Sequence, residues 1–95
     1  MTRPQAQATQ LVDTDRVRVT RFDFAPGAET GWHTHGMDYV ITTLTPCKML
    51  LEEPDGQSRE VSFDTGDCYA RDTGIEHNVI NAGEAVMSFV EVELK

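Results

Sequence analysis

Long apolar runs are missing from this 95-residue chain. A helical membrane span needs roughly 18–20 consecutive apolar residues, and no stretch approaches that, so no membrane partner is expected. Cations are scarce as well. Eight Lys and Arg stand against 16 Asp and Glu, for a net charge of −8. Nucleic-acid binders need a basic stripe to neutralise phosphates, so no nucleic-acid partner is expected. Anionic membrane surfaces are disfavoured on the same ground. Cysteine is limited to Cys47 and Cys68, too few for a disulfide scaffold. A 3.6-residue apolar period is absent, which argues against any substantial helix. The opening MTRPQAQATQ has no apolar core of the secretory kind. Residues 1–10 are expected to be a flexible polar tail, with a single domain over 11–95. A cytoplasmic location with both thiols reduced is the matching expectation.

What remains is a chain that is 39% hydrophobic, enough to build a modest core. Its apolar residues alternate over short runs separated by Gly, Pro, Asp and Asn. Val17 and Val19 share one parity, and Phe22 and Phe24 take the other. That switch suggests a bulge or a strand bending between sheets. Trp32 to Leu44 reads as one long extended segment. Lys48 to Glu53 and Gln57 to Phe63 flank Pro54-Asp55-Gly56 and predict a hairpin. Short strands follow at Asp67 to Arg71 and His77 to Ile80. At the end, Val86, Ser88, Val90, Val92 and Leu94 share one face, with Glu91 and Glu93 on the other. About eight short strands without a helix predict an all-β sandwich or barrel.

The chain has three histidines, His33, His35 and His77. Residues i and i+2 of a strand point to the same face, so His33 and His35 can reach one point. His77 follows a Gly turn at the start of another strand. Two near ligands and one distant one would give a facial set of three imidazoles, the usual neutral metal ligand at neutral pH.

The spacing of these residues resembles the two motifs of the cupin superfamily. GAETGWHTH supplies Gly27, His33 and His35 of the first motif. GDCYARDTGIEHNVIN supplies Gly66, Gly74, His77 and Asn81 of the second. The resemblance implies a double-stranded β-helix, the RmlC-like jelly-roll barrel, with a divalent metal (Fe, Mn, Ni or Zn) in its mouth. Three positions depart from the pattern. Tyr39 stands where the motif has its Glu ligand, Pro46 where it has Gly, and Asp72 where it has Pro. The strings RVRVTRFDFAPGAETGWHTHGMDYV and EHNVINAG look most like small single-domain cupins associated with β-alanine degradation.

Without the Glu, the expected centre is His33, His35 and His77, completed by water or by the Tyr39 oxygen. Tyr39 is the candidate catalytic side chain. A site with open positions suits catalysis or ligand binding better than a structural role. The leading expectation is a metal-dependent oxidoreductase or isomerase acting on a small polar metabolite. The alternative is a binding or sensing module without turnover. Asp72 and Glu76 are candidates to orient an imidazole, and Arg71 to bind a substrate carboxylate. The acidity is otherwise read as surface charge. Small cupins commonly pair through a sheet edge, so a homodimer is expected.

Overall fold

Alternation with period two builds a molecule whose regular structure is almost wholly strand. The computed structural model describes residues 2–95. In chain order the strands are β1 (Gln7–Asp13), β2 (Val17–Phe24), β3 (His33–Thr34), β4 (Asp38–Thr43) and β5 (Cys47–Glu52). They continue with β6 (Ser58–Phe63), β7 (Cys68–Arg71), β8 (Glu76–Asn81) and β9 (Met87–Leu94). A single 3-10 turn, Pro54–Gly56, links β5 to β6. Its Asp55 has φ 69° and Gly56 φ 76°, the left-handed pair that an Asp-Gly turn accepts.

The strands form two sheets, ordered β1-β2-β9-β4-β7 and β3-β8-β5-β6. All pairings within the sheets are antiparallel. This is the jelly-roll barrel, with the core between the sheets. The expected Trp32–Leu44 strand is broken. Gly36 and Met37 lie between β3 and β4, and the two strands join different sheets. The expected tail ends early too, because Gln7–Gln10 belong to β1, paired with β2. Further out, Ala6 N–H donates to the Glu29 carbonyl at 2.8 Å and Arg3 bonds Glu29 and Glu52.

The register gives the five-stranded sheet a polarity along its inner face. At one end Phe24 pairs with Met87, and Phe22 with Phe89. Phe22, Phe24 and Phe89 pack with ring centroids 5.4–6.5 Å apart, a favourable tilted geometry. At the other end the same face carries one polar row, in which Arg18 pairs with Glu93, Glu93 with Tyr39, and Tyr39 with Arg71. One end of the barrel is thus a dry aromatic floor and the other a polar mouth. β2 runs against β9 without a register shift. The parity switch between Val17/Val19 and Phe22/Phe24 therefore reflects two apolar faces on one straight strand. The observed irregularity lies in β1, between Gln10 and Val12.

Candidate metal centre

The two sequence motifs are stitched together by backbone hydrogen bonds. Gly27 N–H donates to the Asn81 carbonyl, and Asn81 N–H to the Ala28 carbonyl, both at 2.9 Å. Gly27 sits at φ 79°, where a side chain would be strained. Across the mouth, Gly74 N–H donates to the His35 carbonyl at 2.7 Å, and His35 N–H to the Ile75 carbonyl at 2.9 Å. Gly74, at φ 92°, makes that tight return possible. The β7–β8 turn therefore clamps His35, and the β8 strand that follows carries His77. His33 and His77 are direct cross-strand partners on β3 and β8, so both imidazoles leave the same face.

These constraints converge on one point. His33 Nε2 lies 2.9 Å from His35 Nε2, and His35 Nε2 lies 3.0 Å from His77 Nε2. The three rings meet edge to face, with interplanar angles of 70–85°. First-row ions bind imidazole nitrogen at about 2.0–2.1 Å, so two nitrogens at right angles on such an ion stand about 2.9 Å apart. The two spacings at His35 match that geometry, and all three ligand atoms lie within 4.8 Å of one another. His33 Nδ1 is 2.9 Å from the Gly31 carbonyl. That contact assigns the proton to Nδ1 and leaves the Nε2 lone pair facing the centre. Burial, then the neighbouring His33, pushes His35 down to about 4. The same causes push His77 down to about 3. Both rings are neutral at pH 7, the ligating form.

Tyr39 lies on the inner face of β4 and lines the cavity. It is buried, and its ring stacks on His35 with centroids 3.9 Å apart and planes at 21°. Burial, then Tyr69, raises its phenol above the ordinary value, so the group is a neutral hydroxyl near neutral pH.

Glu91 and Glu93 are not surface charge. They follow Met87 and Phe89 on the inner face of β9, each 8% exposed, and both line the cavity beside the histidines. The apolar set Val90, Val92 and Leu94 is the outer face of the same strand. The reading of the remaining acidity as surface charge is therefore overturned for these two. Arg18 Nε donates to Glu93 Oε1 at 2.8 Å, and Nη2 to Oε2 at 3.1 Å, a bidentate pair. Glu91 has no such partner. Its Oε2 is 3.9 Å from His35 Nδ1. Burial, then Glu93, pushes its carboxyl up to about 7. The signal in the sequence was the inward parity of Met87 and Phe89, extended two and four residues along the strand.

Other candidates are sorted by position. Among the described residues, no hydrogen bond joins Asp72 or Glu76 to an imidazole. The Gly31 carbonyl and Thr30 Oγ1, 3.3 Å from His33 Nδ1, hold His33 instead. Asn81 is buried, with its amide bonded to three backbone groups. On β7, Tyr69 points inward and Cys68 is exposed. Trp32 is exposed, and Met49 and Met87 are core. The histidines, Tyr39, Glu91, Glu93 and the aromatic floor enclose a cavity of about 340 Å³, large enough for a small metabolite.

Comparison with known proteins agrees with this fold. Residues 20–93 match the cupin domain family. The Beta-alanine degradation protein BauB of Pseudomonas aeruginosa is 52% identical over 98% of this chain and 97% of its own length. A crystal structure of a cupin domain from Bordetella pertussis superposes with a TM-score of 0.95 at 47% identity, covering 100% of this chain and 98% of the other. An RmlC-like cupin from Methanocaldococcus jannaschii has a TM-score of 0.78 at 14% identity, over 95% of this chain and 80% of the other. That last likeness is one of fold alone.

Proposed function

The chain belongs to the cupin family, and we propose from that premise that it is a metal-dependent enzyme acting on a small polar metabolite. The observation that carries the reading is the convergence of three imidazoles in the wall of a 340 Å³ cavity, with His35 Nε2 2.9 Å from that of His33 and 3.0 Å from that of His77, and all three ligand atoms within 4.8 Å of one another. His33, His35 and His77 hold the ion, and β-alanine degradation, the process named for the BauB relative, is the proposed setting. A divalent ion in such an open site supplies Lewis-acid polarisation or, if it is iron, redox chemistry.

The chain's own side chains do the rest. The Gly31 carbonyl fixes the His33 tautomer. The Tyr39 ring fixes the plane of His35 and, in this reading, presents a neutral hydroxyl to the substrate. The Phe22–Phe89 floor excludes water behind the reacting group. No helix among the described residues is long and apolar enough to cross a membrane.

Protein purified without chelator is expected to carry one divalent metal per chain by elemental mass spectrometry. His33→Ala and His77→Ala are expected to lose it while keeping the β-sheet circular dichroism. Wild-type metal content in both variants would overturn the centre. With metal bound, conversion of β-amino acids, aldehydes or related metabolites separates an enzyme from a binding module.

A further inference from the structure

Among the described residues, only two cations are half-buried, Arg18 and Arg71. Arg18 is committed to Glu93. Arg71 pairs with no carboxylate, in a chain with twice as many acids as bases. Of the exposed cations, Arg3, Arg21, Lys48, Arg59 and Lys95 each have an acidic partner. A half-buried guanidinium left free amid so many carboxylates is held back from them by its setting.

That setting is the seam at the mouth of the barrel. Arg71 ends β7 on the inner face, opposite Tyr39, the ring that stacks on His35. Cross-strand partners have Cβ atoms about 5 Å apart, so Arg71 is a near neighbour of the histidine centre. The Tyr69 ring supports the guanidinium, with Cζ 4.7 Å from its centroid, and Phe63 stacks behind Tyr69 at 4.8 Å. Nη1 bonds the Ala70 carbonyl at 3.1 Å. Beside it is a second cavity, of about 180 Å³, whose wall includes Arg59, Arg71, Tyr69 and His77. His77 and Tyr69 also line the main cavity, so the two share a wall at the candidate metal ligand.

We propose that Arg71 is the anion-binding residue of this second cavity and takes the carboxylate of a small monocarboxylate whose other end faces the histidines. A planar guanidinium stacked on an aromatic face keeps free N–H groups in one plane, the arrangement that a carboxylate accepts. One free guanidinium matches one negative charge. A phosphate dianion would meet the carboxylates of Glu53 and Glu76 in the same wall with half the compensation. Glu53 is already paired with Arg59.

The subsite deepens the proposed enzymatic reading by naming a substrate class, and its test is independent of the metal. Propionate is titrated into metal-free protein while the Arg side-chain Nε–Hε and Tyr69 ring resonances are followed by NMR. Saturable shifts centred on Arg71 and Tyr69 are expected, with propionamide and phosphate each binding at least tenfold more weakly. Arg71→Gln is expected to weaken propionate at least tenfold, and Arg71→Lys to restore part of the loss. Arg16→Gln, at an exposed arginine, is expected to bind as wild type. Equal binding by Arg71→Gln, or equal affinity for propionamide, overturns the subsite. If Arg71→Gln fails to fold, the propionamide comparison on wild-type protein decides. Absence of metal from native protein would overturn the proposed enzyme and leave this titration standing.

Discussion

Arg3 illustrates how much one exposed side chain can organise. Its guanidinium reaches Glu29 at 3.1 Å and Glu52 at 3.2 Å, and Asn78 donates to the same two carboxylates at 2.7 and 2.9 Å. Asn78, then Arg3, holds Glu29 below the usual carboxylate range. For Glu52 the order is Arg3, then Asn78. A carboxylate depressed in the folded state binds its proton less readily than in the unfolded chain. Its stabilisation is therefore present above the ordinary value of 4.5 and lost as pH falls through the folded value. Arg3→Ala is expected to be less stable than wild type at pH 7, with the gap closing as pH falls below 4.5. Urea melts at pH 7, 5 and 3 measure this, and a gap independent of pH would refute the assignment.

At the scale of elements, the motif residues earn their positions by joining strands. Asn81 ends β8. Its amide donates to the Phe24 carbonyl at 3.1 Å and the Ala85 carbonyl at 2.9 Å, and its Oδ1 accepts from Gly83 N–H at 2.9 Å. β2, β8 and the turn into β9 meet on this one side chain. Asn81→Ala leaves the buried Phe24 carbonyl and two part-buried partners, the Ala85 carbonyl and Gly83 N–H, without their side-chain hydrogen bond, each worth about 1 kcal/mol, so a loss of about 3 kcal/mol is expected. For a domain of this size that is a fall of roughly 12–24 °C in Tm, which calorimetry reads directly.

Strand β9 shows why element-level reading of the sequence is incomplete. Its apolar alternation is real, yet Val90, Val92 and Leu94 face outward. Phe89 sets the inward parity, and Glu91 and Glu93 share it. Period two says which residues share a face and is silent on which face meets the other sheet. That choice is made by how the two sheets close.

On the scale of the whole molecule, the outer face of the five-stranded sheet carries an apolar row. Val12, Val19, Val92 and Val40 are in register across β1, β2, β9 and β4, half-buried or exposed. β1 is exposed along its whole length, and Leu11 and Val12 are 52% and 43% exposed. Apolar area of this kind usually marks an interface. We propose that a second copy of the chain covers it. Sedimentation at micromolar concentration is expected to give twice 10.6 kDa. Val92→Lys with Val12→Lys is expected to return the monomer mass with the β-sheet spectrum intact. A wild-type mass of 10.6 kDa would exclude the dimer.

The sequence alone determined that the chain is all-β, because period two and turn residues are local properties. It also picked out His33, His35 and His77 as a set, because the motif spacings record where strands and turns must fall. Only the tertiary structure brought Glu91 and Glu93 to the cavity, left Arg71 unpaired beside Tyr69, and placed Phe22 and Phe89 beneath the histidines. Those relations depend on which face of each strand closes against the other sheet. That is decided by the burial of the whole apolar set at once, and no single segment carries it.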